Sequence, residues 1–399
     1  MDHQICPVIA PPQSPTVHQS IFIPAAPMLR ALDLWLPAWL NRERTPQNPF
    51  GSRHVMLCMC DHFEPFHDTD KVGALARMAT WRRDWPRLAG EFKDADGQPP
   101  KHSFFYPIEQ YDPDVIEALA ELCAVSGSEA EIHLHHDRDT AENLRTTLFR
   151  GKDRLAGHGL LGRDAQGDVC YGFVHGNWAL DDSHPLGRFC GVRGELAILR
   201  ETGCYADFTF PSAPDRTQTR TINSLYYARS TPHGKSHDGG RRVRADREQA
   251  PPSDDELLIV QGPLALNWER RKFGVFPRIE NSNLTASNPP TVDRLRLWMD
   301  CRISIESRPN WMFIKLHTHG AGELNSAMLL GEPMRAFHRA LAEYAAADRS
   351  LHIHYVTARE LVNLIHAAEA GHSGEPHQFR DFRYTRNSHA AHLPAETGL

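Results

Sequence analysis

Between Glu131 and Asp139, in Glu131-Ile132-His133-Leu134-His135-His136-Asp137-Arg138-Asp139, the chain concentrates three imidazoles and three carboxylates. These are the side chains that first-row metals bind near neutral pH. The run starts as an apolar, strand-like segment and gives way to a helical pattern, so the ligand-type groups gather at a strand end, where α/β enzymes keep their chemistry. If Glu131 to His135 is extended, His133 and His135 share one face, and Leu134 and His136 the other. Asp139, with Glu142 three residues further on, reads equally as a helix cap and as a metal ligand.

Two other apolar runs close in the same way. Val55 to Cys60 ends in Asp61-His62-Phe63-Glu64, and Trp311 to Leu316 ends in His317-Thr318-His319. Parallel strands of an α/β barrel present their C-terminal ends to one face. Asp61, His62, His135, Asp139 and His317 are therefore expected to converge there.

The elements that must position these ends alternate. Helices are expected at Val72 to Phe92, Asp112 to Val125, Thr140 to Leu155, Gly191 to Glu201, Thr291 to Ile305, Ser326 to Ala346 and Thr357 to Ala370. Strands are expected between them at His102 to Tyr106, Val169 to His175, Tyr205 to Phe210, Leu257 to Val260 and Leu351 to Tyr355. Residues 1–50 read as an N-terminal extension whose helical stretch, Met28 to Leu40, packs an apolar face on the main body despite Pro37. Residues 51–370 form the main domain. Asp215 to Asp255 is Arg-, Gly- and Ser-rich and reads as a mobile insertion, since it has too little apolar surface to offset its ordering entropy. Residues 371–399 read as a loose tail.

Composition excludes several classes. A balance of 44 basic and 50 acidic side chains, interspersed along the chain, gives no basic stripe for nucleic acid. Apolar runs fall short of the roughly 18 to 20 residues of a membrane helix, and Met1 to Ser20 lacks a secretory pattern, so a cytoplasmic protein is expected. The eight cysteines show no framework or zinc-finger spacing, and buried thiols are expected instead of disulfides.

With these residues in place, the sequence resembles the polysaccharide deacetylases, the family 4 carbohydrate esterases. Their first motif, a strand closing in a catalytic base and then a ligand, is matched by Cys60-Asp61-His62. Their second, Glu-Ile-Gly-x-His-x-x-x-His, is matched in frame by Glu131 to Asp139, with His135 and Asp139 at the ligand places. Their last, an apolar strand closing in Leu-His, is matched by Leu316-His317. His62 stands where the family has an acid, and Asp139 where it has His. Phe173 to Trp178 occupies the place of the family's Arg motif without matching it, and Glu64 rivals the ligand near Asp61.

The resemblance implies a distorted (β/α) barrel of about seven strands. It implies a divalent metal, zinc for preference, held by His62, His135 and Asp139, with Asp61 as general base and His317 as general acid. The activity implied is removal of an acyl group, N-acetyl above all, from an amino sugar or polysaccharide. Two alternatives stand beside it. The H-x-H pairs His133/His135 and His317/His319 also suit a barrel amidohydrolase or metal-dependent phosphoesterase, and the missing Arg motif suits a non-catalytic glycan-binding barrel.

Overall fold

The computed structural model describes residues 31–42, 51–245 and 252–387. In chain order the elements are α1 (Leu32–Leu40), β1 (Arg53–His62), α2 (Lys71–Gly90), β2 (Ser103–Pro107), α3 (Pro113–Ser126), β3 (Glu129–Leu134), α4 (Ala141–Gly157), β4 (Gly162–Arg163), β5 (Val169–His175), α5 (Glu195–Glu201) and β6 (Cys204–Asp207). They continue with β7 (Leu225–Arg229), β8 (Arg241–Arg242), β9 (Glu256–Val260), β10 (Ala265–Lys272), β11 (Phe276–Glu280), β12 (Asn283–Leu284), α6 (Val292–Asp300), β13 (Ser304–Ile305), β14 (Arg308–Thr318), α7 (Glu323–Leu329), α8 (Glu332–Ala346), β15 (Leu351–Val356), α9 (Ala358–Glu369) and β16 (Thr385–Arg386).

The fold is mixed α/β around one large, mostly parallel sheet. Its hydrogen-bonded path runs β12-β14-β1-β2-β3-β5-β6-β9-β7-β8, within a sheet of fourteen strands. This path is open, unlike the closed ring of about seven strands expected for a barrel. Past β8, however, Ala245 N donates to Glu306 O at 3.0 Å and Glu306 N to Val243 O at 3.1 Å, which ties one end of the path to the segment beside β13.

Strand β1 is apolar on both faces because both are covered. Val55 and Leu57 pack into the larger core with Trp81 and Trp85 of α2, while Met56, Cys58 and Cys60 pack with α9 on the other side. Helix α9 opens with a capping box between Thr357 and Glu360 and is buried almost all round. It touches β1, β5, β13 and β15, strands well apart along the sheet, so the sheet curls about it.

Local signals explain most helix limits. Asp112 caps α3 through Asp114 N and Val115 N, Pro113 follows, and Gly127 ends the helix in the left-handed conformation at φ 67°. The expected Ser326 to Ala346 helix is two, α7 and α8, with Gly331 between them and Pro333 in the first turn of α8. The helix expected from Gly191 starts at Glu195, and the one expected to Ile305 stops at Asp300.

Two expectations from composition change. Of the proposed insertion, residues 215–245 are packed: β7 pairs antiparallel with β9, and Thr217, Gln218, Thr219 and His237 are buried. Several polar side chains are satisfied there internally, as when Gln218 Oε1 accepts from Ser212 N and Ala213 N, both at 2.9 Å, whereas both ring nitrogens of His237 have no hydrogen-bond partner among the described residues. Residues 246–251 lie outside the described residues. The tail is likewise packed as far as Asn387, with Asn363 and Arg359 both donating to Tyr384 O and β16 pairing β4; residues 388–399 lie outside the described residues. Helix α1 docks on the body as expected, through buried Trp35 against Ala213, Ile222 and Leu264. The rest of the N-terminal extension, residues 1–30 and 43–50, lies outside the described residues. The cysteines among the described residues are free thiols, most of them buried.

Candidate metal centre

Parallel register brings the expected strand ends together. Cys60 pairs with His317 across β1 and β14, and Leu134 with His175 across β3 and β5, so His62, His133 and His317 lie along one edge of the sheet. The rings cluster accordingly. His62 lies 5.1 Å from His133, 4.7 Å from His319 and 5.9 Å from His317 between centroids, and His133 lies 4.4 Å from His135. The shared face of His133 and His135 is the one that strand alternation requires.

Within this cluster Glu64, His133 and His135 form a compact group able to hold a metal ion. Glu64 Oε1 is 3.2 Å from His133 Nε2 and 3.3 Å from His135 Nε2. The opposite nitrogens are fixed: His133 Nδ1 donates to Val174 O at 2.7 Å, and His135 Nδ1 to Glu109 Oε1 at 2.7 Å. With their protons committed to Nδ1, neutral imidazoles turn two nitrogen lone pairs toward a carboxylate oxygen. Such an arrangement needs a cation, either a proton or a metal ion, and carbonyl or carboxylate partners on Nδ1 are the usual support of ligating histidines. The donor set fits a divalent ion.

The electrostatics show the pull of this group on a cation, a proton or a metal ion. Burial alone would raise the Glu64 carboxyl, but a proton shared with His133 and His135, the occupant that competes with a metal ion, prevails and holds it well below its ordinary value. Burial would lower His135, yet Glu109 and Glu64 raise it to about 9. His62 is held well below the usual imidazole range by burial and by His319, His133 and His317 around it.

No family model and no curated protein matches this chain. The site is therefore read from its own geometry.

The five residues singled out in the sequence are distributed over more than one environment. His135 belongs to the compact group. The His62 ring lies tilted beside it, its Nε2 buried with no hydrogen-bond partner. His317 is 2% exposed, its Nδ1 likewise unpartnered, and burial with Lys315 nearby keeps it well below the usual range. Asp139 turns elsewhere: Oδ1 accepts from Thr140 N and Asn143 Nδ2, both at 2.7 Å, and Oδ2 lies 3.0 Å from His136 Nδ1. Thr140, one residue beyond Asp139, is the cap of α4. Asp61 is fully buried and lies toward α2, accepting from His102 Nε2 at 2.8 Å and from Gly320 N at 2.6 Å. Trp81 Nε1 donates to Gly320 O in the same layer. His62, His135 and Asp139 thus do not form one ligand group among the described residues.

Glu64, His133 and Glu109 complete what the strand ends alone did not assign. Beside His135 a cleft opens between the end of β3 and α4, lined by Glu109, His135, His136, Asp139, Arg150 and Arg154. One close approach shapes it. A Cβ on Gly176 would lie 2.4 Å from His135 Cδ2 and 2.8 Å from Leu134 O, so only glycine lets the chain leaving β5 pass this close to the His135 ring. No helix among the described residues is long and apolar enough to cross a membrane.

Proposed function

We propose that the protein is a metal-dependent hydrolase that removes an acyl group, N-acetyl for preference, from an amino sugar or polysaccharide. Glu64, His133 and His135 are assigned as the ligands and zinc as the ion, since two imidazoles and one carboxylate with room for further ligands suit catalytic zinc. The observation that carries this reading is the convergence of Glu64 Oε1 with His133 Nε2 and His135 Nε2, at 3.2 and 3.3 Å, beside an open cleft. The curl of the sheet about α9 and the bridge at Glu306 support a distorted barrel as its scaffold.

When bound, the ion supplies Lewis acidity toward water and the acyl carbonyl. The protein's own groups do the rest. Val174 O and Glu109 orient the two imidazoles. His319, at the partly exposed end of the His317/His319 pair, is better placed than buried His317 to exchange a proton with a substrate. Asp61 holds Gly320 N and so fixes the residue next to His319. Arg150 and Arg154 give the cleft positive charge for a polar or anionic substrate group.

That charge also favours a second reading, hydrolysis of a phosphoester by the same H-x-H geometry. One experiment tests both: metal content and turnover of wild type and Glu64→Gln on N-acetylated amino-sugar oligomers, O-acetyl esters and aryl phosphodiesters. Metal-dependent release of acetate, abolished in Glu64→Gln, is expected. Release of the aryl alcohol from the phosphodiester, with no acetate from the other substrates, would establish the second reading, and a metal content indifferent to Glu64→Gln would overturn both.

A further inference from the structure

A second cluster uses none of the ligands just assigned, although His136 also lines the cleft beside His135. His136 follows β3, His175 ends β5, and Glu195 opens α5 after a loop that carries Cys190; all four offer ligand atoms close together. His136 Nε2 lies 2.8 Å from His175 Nε2, and Glu195 Oε1 lies 3.3 Å from the first and 3.5 Å from the second. Ligand atoms sharing one zinc ion, each about 2.0 to 2.3 Å from it, are separated by about 3 to 3.5 Å.

The far side of every group is already anchored. His136 Nδ1 faces Asp139 Oδ2 at 3.0 Å, and His175 Nδ1 donates to Gly176 O at 2.6 Å. Glu195 Oε2 accepts from Asp181 N at 2.6 Å. A carboxylate and a carbonyl only accept, so both imidazoles carry hydrogen on Nδ1 and turn Nε2 inward. Two nitrogen lone pairs 2.8 Å apart repel unless a cation lies between them. Glu195 is fully buried, yet its Oε1 has no hydrogen-bond partner. A buried polar atom left so is costly and calls for an explanation.

Cys190 supplies a further observation. The backbone N-H groups of Asp182 and Val192 point at its Sγ, at 3.3 and 3.4 Å, and would support a thiolate if a metal ion were bound. Sγ also lies 3.5 Å from Val192 O and 3.6 Å from Glu195 Oε2, and burial with Glu195 beside it pushes the thiol up. The loops that deliver it are locked: Asp139 N donates to Cys190 O at 2.9 Å, and Asn177, Asp181 and Asp182 hold left-handed backbone conformations, with φ of 53 to 54°. Strain of this kind persists only where surrounding structure imposes it.

We infer that His136, His175, Glu195 and Cys190 form a second, closed metal site for a zinc-type ion, which pins the loops after β3 and β5 to the start of α5. Two imidazoles, a carboxylate and a thiolate suit tetrahedral zinc, and full burial of His175 and Glu195 leaves no position for substrate. The role is structural. The competing occupant is a proton: an imidazolium at His136 donating to His175 Nε2, with Glu195 as counter-ion.

The test is metal analysis of the purified full-length chain, wild type and variants, with cobalt substitution as the spectroscopic probe. Wild type is expected to bind one equivalent at this site in addition to any bound at Glu64. Glu195→Gln should lose one equivalent, and cobalt-loaded wild type should show a thiolate-to-cobalt charge-transfer band that Cys190→Ser abolishes. The site does not depend on the proposed hydrolase. Loss of an equivalent in Glu195→Gln but not in Glu64→Gln would support it while removing the first assignment. Wild-type metal content in Glu195→Gln, or a cobalt spectrum without the thiolate band that is indifferent to Cys190→Ser, would overturn it in favour of the shared proton.

Discussion

Replacing Asp61 by Asn separates two accounts of the residue by which of two quantities moves. In the structure both carboxylate oxygens accept hydrogen bonds at a site with no solvent exposure, one from Gly320 N at 2.6 Å and one from His102 Nε2 at 2.8 Å. The asparagine amide keeps one acceptor, which Gly320 N requires, and turns an NH2 group toward His102. The loss is then one hydrogen bond to a charged group, about 1.5 to 3 kcal/mol, toward the lower end if His102 changes tautomer to present an acceptor. At 1.4 kcal/mol per factor of ten this is about a 10- to 150-fold shift in the unfolding equilibrium. With a urea slope of roughly 3 kcal/mol/M, the midpoint falls by about 0.5 to 1 M. Equilibrium urea unfolding followed by far-UV dichroism reads the shift, and kcat per folded molecule is measured on the same preparations. A general base behaves oppositely, losing a hundredfold or more in kcat with little change in midpoint. An unchanged midpoint with kcat lowered to that extent would refute the anchoring role argued from His102 and Gly320.

Two further outcomes follow from the same geometry. Gly176→Ala places a methyl group 2.4 Å from His135 Cδ2 and 2.8 Å from backbone Leu134 O, so the ring must rotate away from Glu64; zinc affinity, measured by competition with a chromophoric chelator, should weaken tenfold or more, and wild-type affinity would show that the ring is not a ligand. Glu131 is buried, and burial raises its carboxyl to about 8 against the pull of Tyr205 and Gly172 N. A carboxyl raised in the folded state stabilises fully below its unfolded value of 4.5 and loses that contribution as pH climbs through about 8. Thermal unfolding of wild type should therefore lose stability over that window relative to Glu131→Gln, and parallel pH profiles for the two proteins would contradict the assignment.

Much of the scaffold was legible because alternation of apolar runs with helical stretches carries it. β1, β3, β5, β14 and their helices lie close to where periodicity puts them, and of the five residues expected to converge, Asp61, His62, His135 and His317 come to one edge of the sheet by parallel pairing, while Asp139 turns away. The face shared by His133 and His135 was legible for the same reason, since it depends only on strand geometry. The ligand group was not, because it is decided beyond the strand ends. Glu64 reaches the two imidazoles from the turn after β1, and Asp139 is drawn away by Thr140 N and Asn143, contacts that depend on the helix starting at Thr140.

Composition misled in the middle of the chain for a related reason. The residues near Thr217 to Thr219 are polar but satisfy one another and the backbone, so they are buried with little apolar surface of their own. Hydropathy counts that surface and cannot see the hydrogen bonds that replace it. The same blindness hid the second cluster. His136, His175, Cys190 and Glu195 are far enough apart in sequence that no motif joins them. They meet because β3 and β5 are neighbours and the strained loop after β5 returns the start of α5 to their ends. Candidate metal sites assembled this way become visible only when the direction of each lone pair is known, and here that direction is set by the groups behind the imidazoles, Asp139, Gly176 O, Val174 O and Glu109.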